Sequence, residues 1–225
     1  MCYLSKLVYK RNVCLVGGSP AIMDTNLGST IDSFDLVARI NKHWPSPSAF
    51  RHNLPTEDYM IHNGRRTDIF FHSGHENTGG NIKFLSQLEG LKLIMTKRRR
   101  DNNSFVRKVV RWSRKEQIQH IFLDRTLDIC REIVGPFEPT TGFISLHALL
   151  KMNFNNLLIC GFDFYIDSTA HSSHNPRKER DLVIRSCLKR QNLFLSEDVL
   201  SSILRDNNLD KGIKNNLVSK HLKLI

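Results

Sequence analysis

A chain of 225 residues, 40% hydrophobic and 24% charged, holds enough apolar material for one sizeable core and is short for two, which excludes disordered and fibrous classes. Lys and Arg total 33 against 22 Asp and Glu, and the net charge of +11 favours anionic partners, whether nucleotides, nucleic acids or acidic membrane faces, without choosing among them. Five cysteines, Cys2, Cys14, Cys130, Cys160 and Cys187, form no CxxC pair, so neither a disulfide framework nor a zinc knuckle is indicated.

In the N-terminal MCYLSKLVYKRN, Lys6 and Lys10 interrupt the apolar residues; neither an export signal nor a membrane span is expected there, and a cytoplasmic protein with reduced thiols is. Short apolar runs then alternate with longer amphipathic ones, the pattern of parallel strands joined by helical crossovers. Strands are expected near VCLVG (13–17), LVARI (36–40), DIFFH (68–72), LKLIM (91–95), HIFL (120–123) and NLLICGF (156–162). Helices are expected around 80–89, 102–117, 125–133, 141–153, 176–191 and 195–206, with another near the C-terminus. The segment from Trp44 to Asn63 carries three prolines and little periodicity, and reads as a long loop of the kind that often carries function. KRRR at 97–100 follows a strand and reads as a solvated basic turn in preference to a phosphate-binding patch. The expected architecture is one Rossmann-like α/β domain over residues 1–225, a mostly parallel sheet with helices on both faces.

Three clusters carry chemistry. In VCLVGGSP (13–20), Gly17, Gly18 and Ser19 stand beyond a strand end, where a glycine turn lets the backbone approach a phosphate or sugar. The pattern is GGSP and not GxGxxG, Arg39-Ile40-Asn41 replaces the acidic ribose ligand of a dinucleotide site, and no GxxxxGK[ST] occurs, which argues against NAD and P-loop chemistry. In EPTTGFISLHALL (138–150), Thr140, Thr141 and Gly142 open a helical pattern, so hydroxyls and amides collect at a helix N-terminus as an ordinary cap or an anion site. In CGFDFYIDSTAHSSHNPRKE (160–179), Asp163, Tyr165, His171 and His174 follow a strand end. Glu179 falls in the first turns of the next helix, placed to orient the imidazole of His174 and raise its basicity. His171 and His174 are three apart, but no cysteine is near and no DxD pair occurs, so no metal site is expected.

Taken together and in this order, the clusters resemble the sialyltransferases. VCLVGGSPAIMDTNLGSTIDSFDLVARIN looks like the long sialyl motif of the animal-type family, PTTGFISLHALLKMNFNNLLICGFDF like the short motif, and HNPRKE like the very short motif, a histidine and a glutamate separated by four residues. GFDFY is similar to the GIDFY of bacterial lipooligosaccharide sialyltransferases, and NGRRTDIFF (63–71) to the G-[KR]-T segment of the animal family, so the resemblance spans roughly residues 13–180.

The resemblance implies a sialyltransferase-type variant of the GT-A architecture and an inverting, metal-independent transfer of sialic acid, or a related nonulosonic acid, from a CMP-sugar to a glycan or lipid-linked glycan hydroxyl. It implies that Gly17, Gly18, Ser19 and Asn41 contact the CMP part of the donor and that Thr141 with Gly142 closes over the nucleotide. Asp163 and Phe164 would line the cytidine and ribose side, Tyr165 would hydrogen-bond the departing phosphate with His171 as helper, and His174 would be the general base. No cofactor is implied, and peripheral association with an anionic membrane face fits the charge. Four departures stand out: Gly18 replaces an asparagine, His72 replaces an asparagine near the donor of the bacterial enzymes, Phe154 replaces the cysteine that would pair with Cys14, and His174 follows Asp163 by only 11 residues, which leaves a short lid. The competing reading is a basic α/β protein that grips nucleic acid through KRRR and RKVVRWSRK (107–115) with Trp112 as a stacking platform, or an inactive nucleotide-binding relative. In the plainer view of that stretch, Val109, Val110 and Trp112 partly face the core.

Overall fold

The computed structural model describes residues 3–41, 56–75, 82–97, 104–165 and 173–222. Among them runs one seven-stranded, wholly parallel sheet: β1 (Asn12–Val16), β2 (Leu36–Ile40), β3 (Ile69–His72), β4 (Leu93–Thr96), β5 (Gln119–Phe122), β6 (Asn156–Cys160) and β7 (Leu193–Leu195), in the spatial order β5-β4-β3-β2-β1-β6-β7. The helices are α1 (Tyr3–Val8), α2 (Gly28–Asp32), α3 (Thr56–Asn63), α4 (Ile82–Leu85), α5 (Ser104–Lys115), α6 (Asp124–Val134), α7 (Thr141–Leu150), α8 (Pro176–Lys189), α9 (Glu197–Arg205) and α10 (Lys211–Leu222), with a 3-10 turn at Pro20–Asp24. None of the described helices is long and apolar enough to cross a membrane.

The central strands are continuous apolar runs because both faces are covered. Alternate residues point to opposite sides: Val13 and Leu15 of β1 join a cluster with Leu127 of α6, Ile144 of α7 and Val183 of α8, whereas Cys14 and Val16 pack with Ile22, Ile31 and Val37. Farther along the sheet, Phe70 and Ile94 meet Phe84 of α4 and Phe105, Val106 and Val109 of α5. Trp112 is partly buried against that same cluster, so it belongs to the packing and does not stand out as a stacking platform.

Three expectations need correction. Residues 56–63 of the expected 44–63 loop form α3, anchored by buried Tyr59 and Asn63; one apolar anchor in eight residues leaves little periodicity to read. Residues 44–55 lie outside the described residues. Between two expected helices, Leu193–Leu195 adds β7 beside Leu157–Ile159 of β6, too short for an alternation signal. Helix α1 was not expected either, and it buries Leu4 and Val8. Phe154 is buried in the core, and the thiol of Cys14, free and buried, lies 3.5 Å from that of Cys160.

The strand order places the site. From β1 the chain proceeds to one side through β2 to β5, and then returns to place β6 and β7 on the other. In open α/β sheets, ligands occupy the crevice beyond the carboxyl ends of strands at such a reversal.

Candidate active site

The carboxyl ends of β1 and β6 meet almost backbone to backbone. The Gly17 N–H donates to the Cys160 carbonyl and the Ser19 N–H to the Gly161 carbonyl, each at 2.8 Å. A Cβ at Gly17 would lie 2.2 Å from the Gly161 oxygen, and Gly161 has φ +68°, so both positions need glycine to let these segments touch. Gly17 therefore serves the seam between strands, while exposed Gly18 is the glycine that borders open space. The Asp198 carboxylate of α9 accepts the Gly161 N–H at 2.8 Å. The Phe162 ring fits where a Cβ on Gly17 or Gly142 would come within 2.8 or 2.9 Å of it, and so joins the β1 and β6 turns to the start of α7.

Around this seam opens a cleft of about 1180 Å³. Eleven of the twelve expected site residues line it: Gly17, Gly18 and Ser19 after β1, Asn41 after β2, Thr141 and Gly142 at the start of α7, Asp163, Phe164 and Tyr165 after β6, and His174 and Glu179 at the start of α8. His171 lies outside the described residues. Segments as far apart as 17–19 and 174–179 are thus brought to one wall, and many of the lining groups are backbone amides, hydroxyls and small residues. Among the described residues, no group of three or more His, Cys, Asp or Glu side chains is gathered as a metal site.

Each element presents its residue for an identifiable reason. Asn41 adopts the left-handed region at φ +54°, which asparagine tolerates better than most residues, and its Oδ1 accepts the Ser73 N–H at 2.9 Å, tying the ends of β2 and β3 together. Thr140 is the N-cap of α7, its Oγ1 accepting the Phe143 N–H at 3.1 Å, and Thr141 and Gly142 of the first turn line the cleft at the positive end of the helix. Asp163 accepts the Tyr165 N–H at 3.0 Å, a local turn in which Phe164 and Tyr165 both have positive φ. Tyr165 is 43% exposed, yet desolvation, followed by the charges of Asp163 and Glu179, pushes its phenol above the ordinary value; it is a proton donor at neutral pH.

The histidine is held differently from the expectation. His174 Nδ1 lies 2.5 Å from the Glu138 carbonyl; a carbonyl only accepts, so Nδ1 carries the proton and Nε2 is the basic nitrogen of the neutral ring. Glu179 is committed elsewhere: one carboxylate oxygen accepts the Thr140 N–H at 2.7 Å and the other the Thr140 hydroxyl at 2.6 Å. It thereby ties α8 to the cap of α7. Glu179 is 3% exposed, and burial outweighs the Thr140 bonds to push its carboxyl up to about 7.

Among the cleft residues that the sequence reading did not assign to the site are Lys97, Arg131, Glu138 and Phe162. Lys97, first of KRRR, is no solvated turn residue. Its side chain is 13% exposed and its Nζ donates to the Pro139 carbonyl at 2.7 Å, beside Glu138. Burial lowers its pKa, opposed by Glu138. Residues 98–100 lie outside the described residues. His72 departs the other way: its Nδ1 accepts the Gly74 N–H at 2.7 Å and its ring stacks 5.2 Å from Phe105, packed into the sheet and absent from the cleft lining. The NGRRTD segment is scaffolding. Arg39, buried by β2, donates to the Asn63 side chain and carbonyl and to the Arg66 carbonyl at 2.7–2.8 Å, and desolvation lowers its pKa to about 10.

No protein-family model matches the chain, and no curated protein matches its sequence. Solved structures do. The chain is similar to a mammalian sialyltransferase in complex with Gal-beta-1-3GalNAc-ortho-nitrophenol, at a TM-score of 0.59 and 17% identity over 86% of this chain and 71% of that one. It is also similar to the sialyltransferase CstII from Campylobacter jejuni in complex with cytidine-5'-monophosphate, at a TM-score of 0.53 and 13% identity over 83% of this chain and 80% of that one. The complex of CstII with CMP-3FNeuAc gives a TM-score of 0.51 at 15% identity, over 86% of this chain and 82% of that one. The fold is sialyltransferase-like.

Proposed function

We propose that this chain is a glycosyltransferase that moves sialic acid, or a related nonulosonic acid, from a CMP-sugar to the hydroxyl of a glycan or lipid-linked glycan, with inversion and without a metal. The observation that carries the reading is the meeting of eleven motif residues from distant segments in one cleft at the β1/β6 reversal, with a histidine whose basic nitrogen is set by its partner. The solved relatives add that two complexes of the same fold are with CMP or a CMP-sugar analogue.

In this reading the nucleotide lies over Gly18 and Ser19 at the turn after β1, with Asn41 beyond it and the start of α7 above. The α7 N-terminus supplies amides, the Thr141 hydroxyl and a positive partial charge to the phosphate. CMP leaves as a monoester, and hydroxyl and amide donors aimed at its developing charge stabilise that departure; Tyr165, protonated at neutral pH, is one such donor. His174 Nε2 takes the proton of the acceptor hydroxyl as its oxygen bonds to the anomeric carbon and the bond to the CMP oxygen breaks. A base on one face and a phosphate clamp on the other invert the anomeric centre in a single displacement. The free, buried thiols suit a reducing compartment, and the net charge of +11 suits work beside an anionic membrane face.

The test is His174→Ala. Transfer from CMP-sialic acid should fall by about 10²–10⁴-fold, the usual contribution of a general base, while CMP still binds. Unimpaired transfer would remove His174 from the role, and a variant that no longer binds CMP would place it in the donor pocket instead.

A further inference from the structure

Two cations converge on Glu138. Lys97 Nζ lies 3.1 Å from one of its carboxylate oxygens, and Arg131 grips the other through Nη2 at 2.8 Å and Nε at 3.0 Å. Burial opposes ionisation of this carboxyl, but Arg131 and then Lys97 hold it below its ordinary value. The Glu138 side chain is 34% exposed, so the triad adds little to stability by itself. Its effect is geometric. Residues 135–140 lie in neither helix nor strand, whereas both cations come from rigid elements: Arg131 from α6, and Lys97 from the end of β4, its N–H on the His72 carbonyl at 2.8 Å.

The backbone of that clamped residue holds the histidine and the residue before it, one bond to each. The Glu138 N–H donates to the Ser173 carbonyl at 2.8 Å, and the Glu138 carbonyl accepts from His174 Nδ1 at 2.5 Å. Lys97 secures the next carbonyl as well, that of Pro139 at 2.7 Å. Side-chain charge therefore fixes a loop whose main chain sets the position and protonated nitrogen of the ring.

We infer that Glu138, clamped by Lys97 and Arg131, is a positioning residue that fixes the orientation and Nδ1–H tautomer of His174 through its main-chain carbonyl. The inference rests on His174 acting as the base. Loosening the clamp leaves the turn after β1 untouched but reaches the start of α7 through Pro139, so it lowers turnover by more than it weakens donor binding. A misplacement of the order of 1 Å is enough to cost about 10²-fold in rate.

The experiment pairs imidazole 15N NMR of the full-length protein with steady-state kinetics, for the wild type and for Lys97→Met, Glu138→Gln and Lys97→Arg. In the wild type the His174 ring should show one neutral tautomer, protonated at Nδ1. Lys97→Met and Glu138→Gln should show exchange between both tautomers and a kcat lowered by about 10- to 100-fold, with the donor KM raised by a clearly smaller factor. Lys97→Arg keeps the charge and should recover most of both. A single Nδ1–H tautomer and unchanged kcat in all three variants would overturn the inference, as would losses that Lys97→Arg fails to rescue and that raise donor KM equally. Transfer absent from the wild type would overturn the proposed function, and the tautomer signal would still decide the clamp: a fixed ring released by Lys97→Met upholds it, and an indifferent one overturns it.

Discussion

At the scale of single residues, the cleft separates groups that face a ligand from groups that hold those groups in place. In the proposed reading Asn41 and Thr141 belong to the first set, and replacing either by alanine should weaken donor binding before it slows turnover. One hydrogen bond of about 1.4 kcal/mol corresponds to about a 10-fold rise in donor KM. Initial rates across a CMP-sialic acid series check this, and an unchanged KM in both variants would count against the pocket as drawn. Gly17 belongs to the second set. A Cβ there would sit 2.2 Å from the Gly161 oxygen and 2.8 Å from the Phe162 ring, so Gly17→Ala forces the β1 and β6 ends apart and should destabilise the fold by about 1–3 kcal/mol. Denaturant titration measures that cost, and a fully stable variant would contradict the seam.

At the scale of elements, the central contact is the strap between α7 and α8 made by Glu179 on Thr140. Its folded pKa, about 7, stands above the ordinary 4.5. Between those values the folded chain binds more protons than the unfolded one, so this group's contribution to stability is full below about 4.5 and is lost as pH rises through about 7. The shift corresponds to on the order of 3 kcal/mol. Stability measured by denaturation from pH 5 to 8 should therefore fall less in Glu179→Gln than in the wild type, and equal slopes would contradict the assignment. This strap also marks the limit of what the sequence makes legible. β1 and β2 read as strands because both faces are buried and the runs are mostly apolar, and α7 as a helix because Thr140 caps an apolar run. The three-residue β7 and the one-anchor α3 carry too little pattern to be read. The commitment of Glu179 to Thr140, and the orientation of His174 by a main-chain carbonyl, depend on contacts 39 and 36 residues apart that no local spacing encodes.

At the scale of the whole molecule, one topological fact organises the chemistry: β6 returns to pair with β1, so the turn after the first strand, the start of α7 and the segment leading into α8 share a single crevice. The parallel α/β class was legible from alternating apolar and amphipathic runs, but the return of β6 to β1 was not, and the motif order along the chain becomes a motif cluster in space only through it. The excess of positive charge, +11 overall, suits a donor that is anionic at both its phosphate and its sugar carboxylate. A nucleic-acid surface instead would owe its affinity to counterion release and weaken steeply with salt. The most direct measurement is thermal unfolding of the full-length protein with CMP, UMP, AMP, GMP or a short oligonucleotide, each with EDTA and at two salt concentrations. Ligand at about 100 times its dissociation constant adds about 2.7 kcal/mol to the stability of the folded state. The account predicts a shift selective for CMP that persists in EDTA and at the higher salt; no response to CMP, with a salt-sensitive shift from the oligonucleotide, would contradict it.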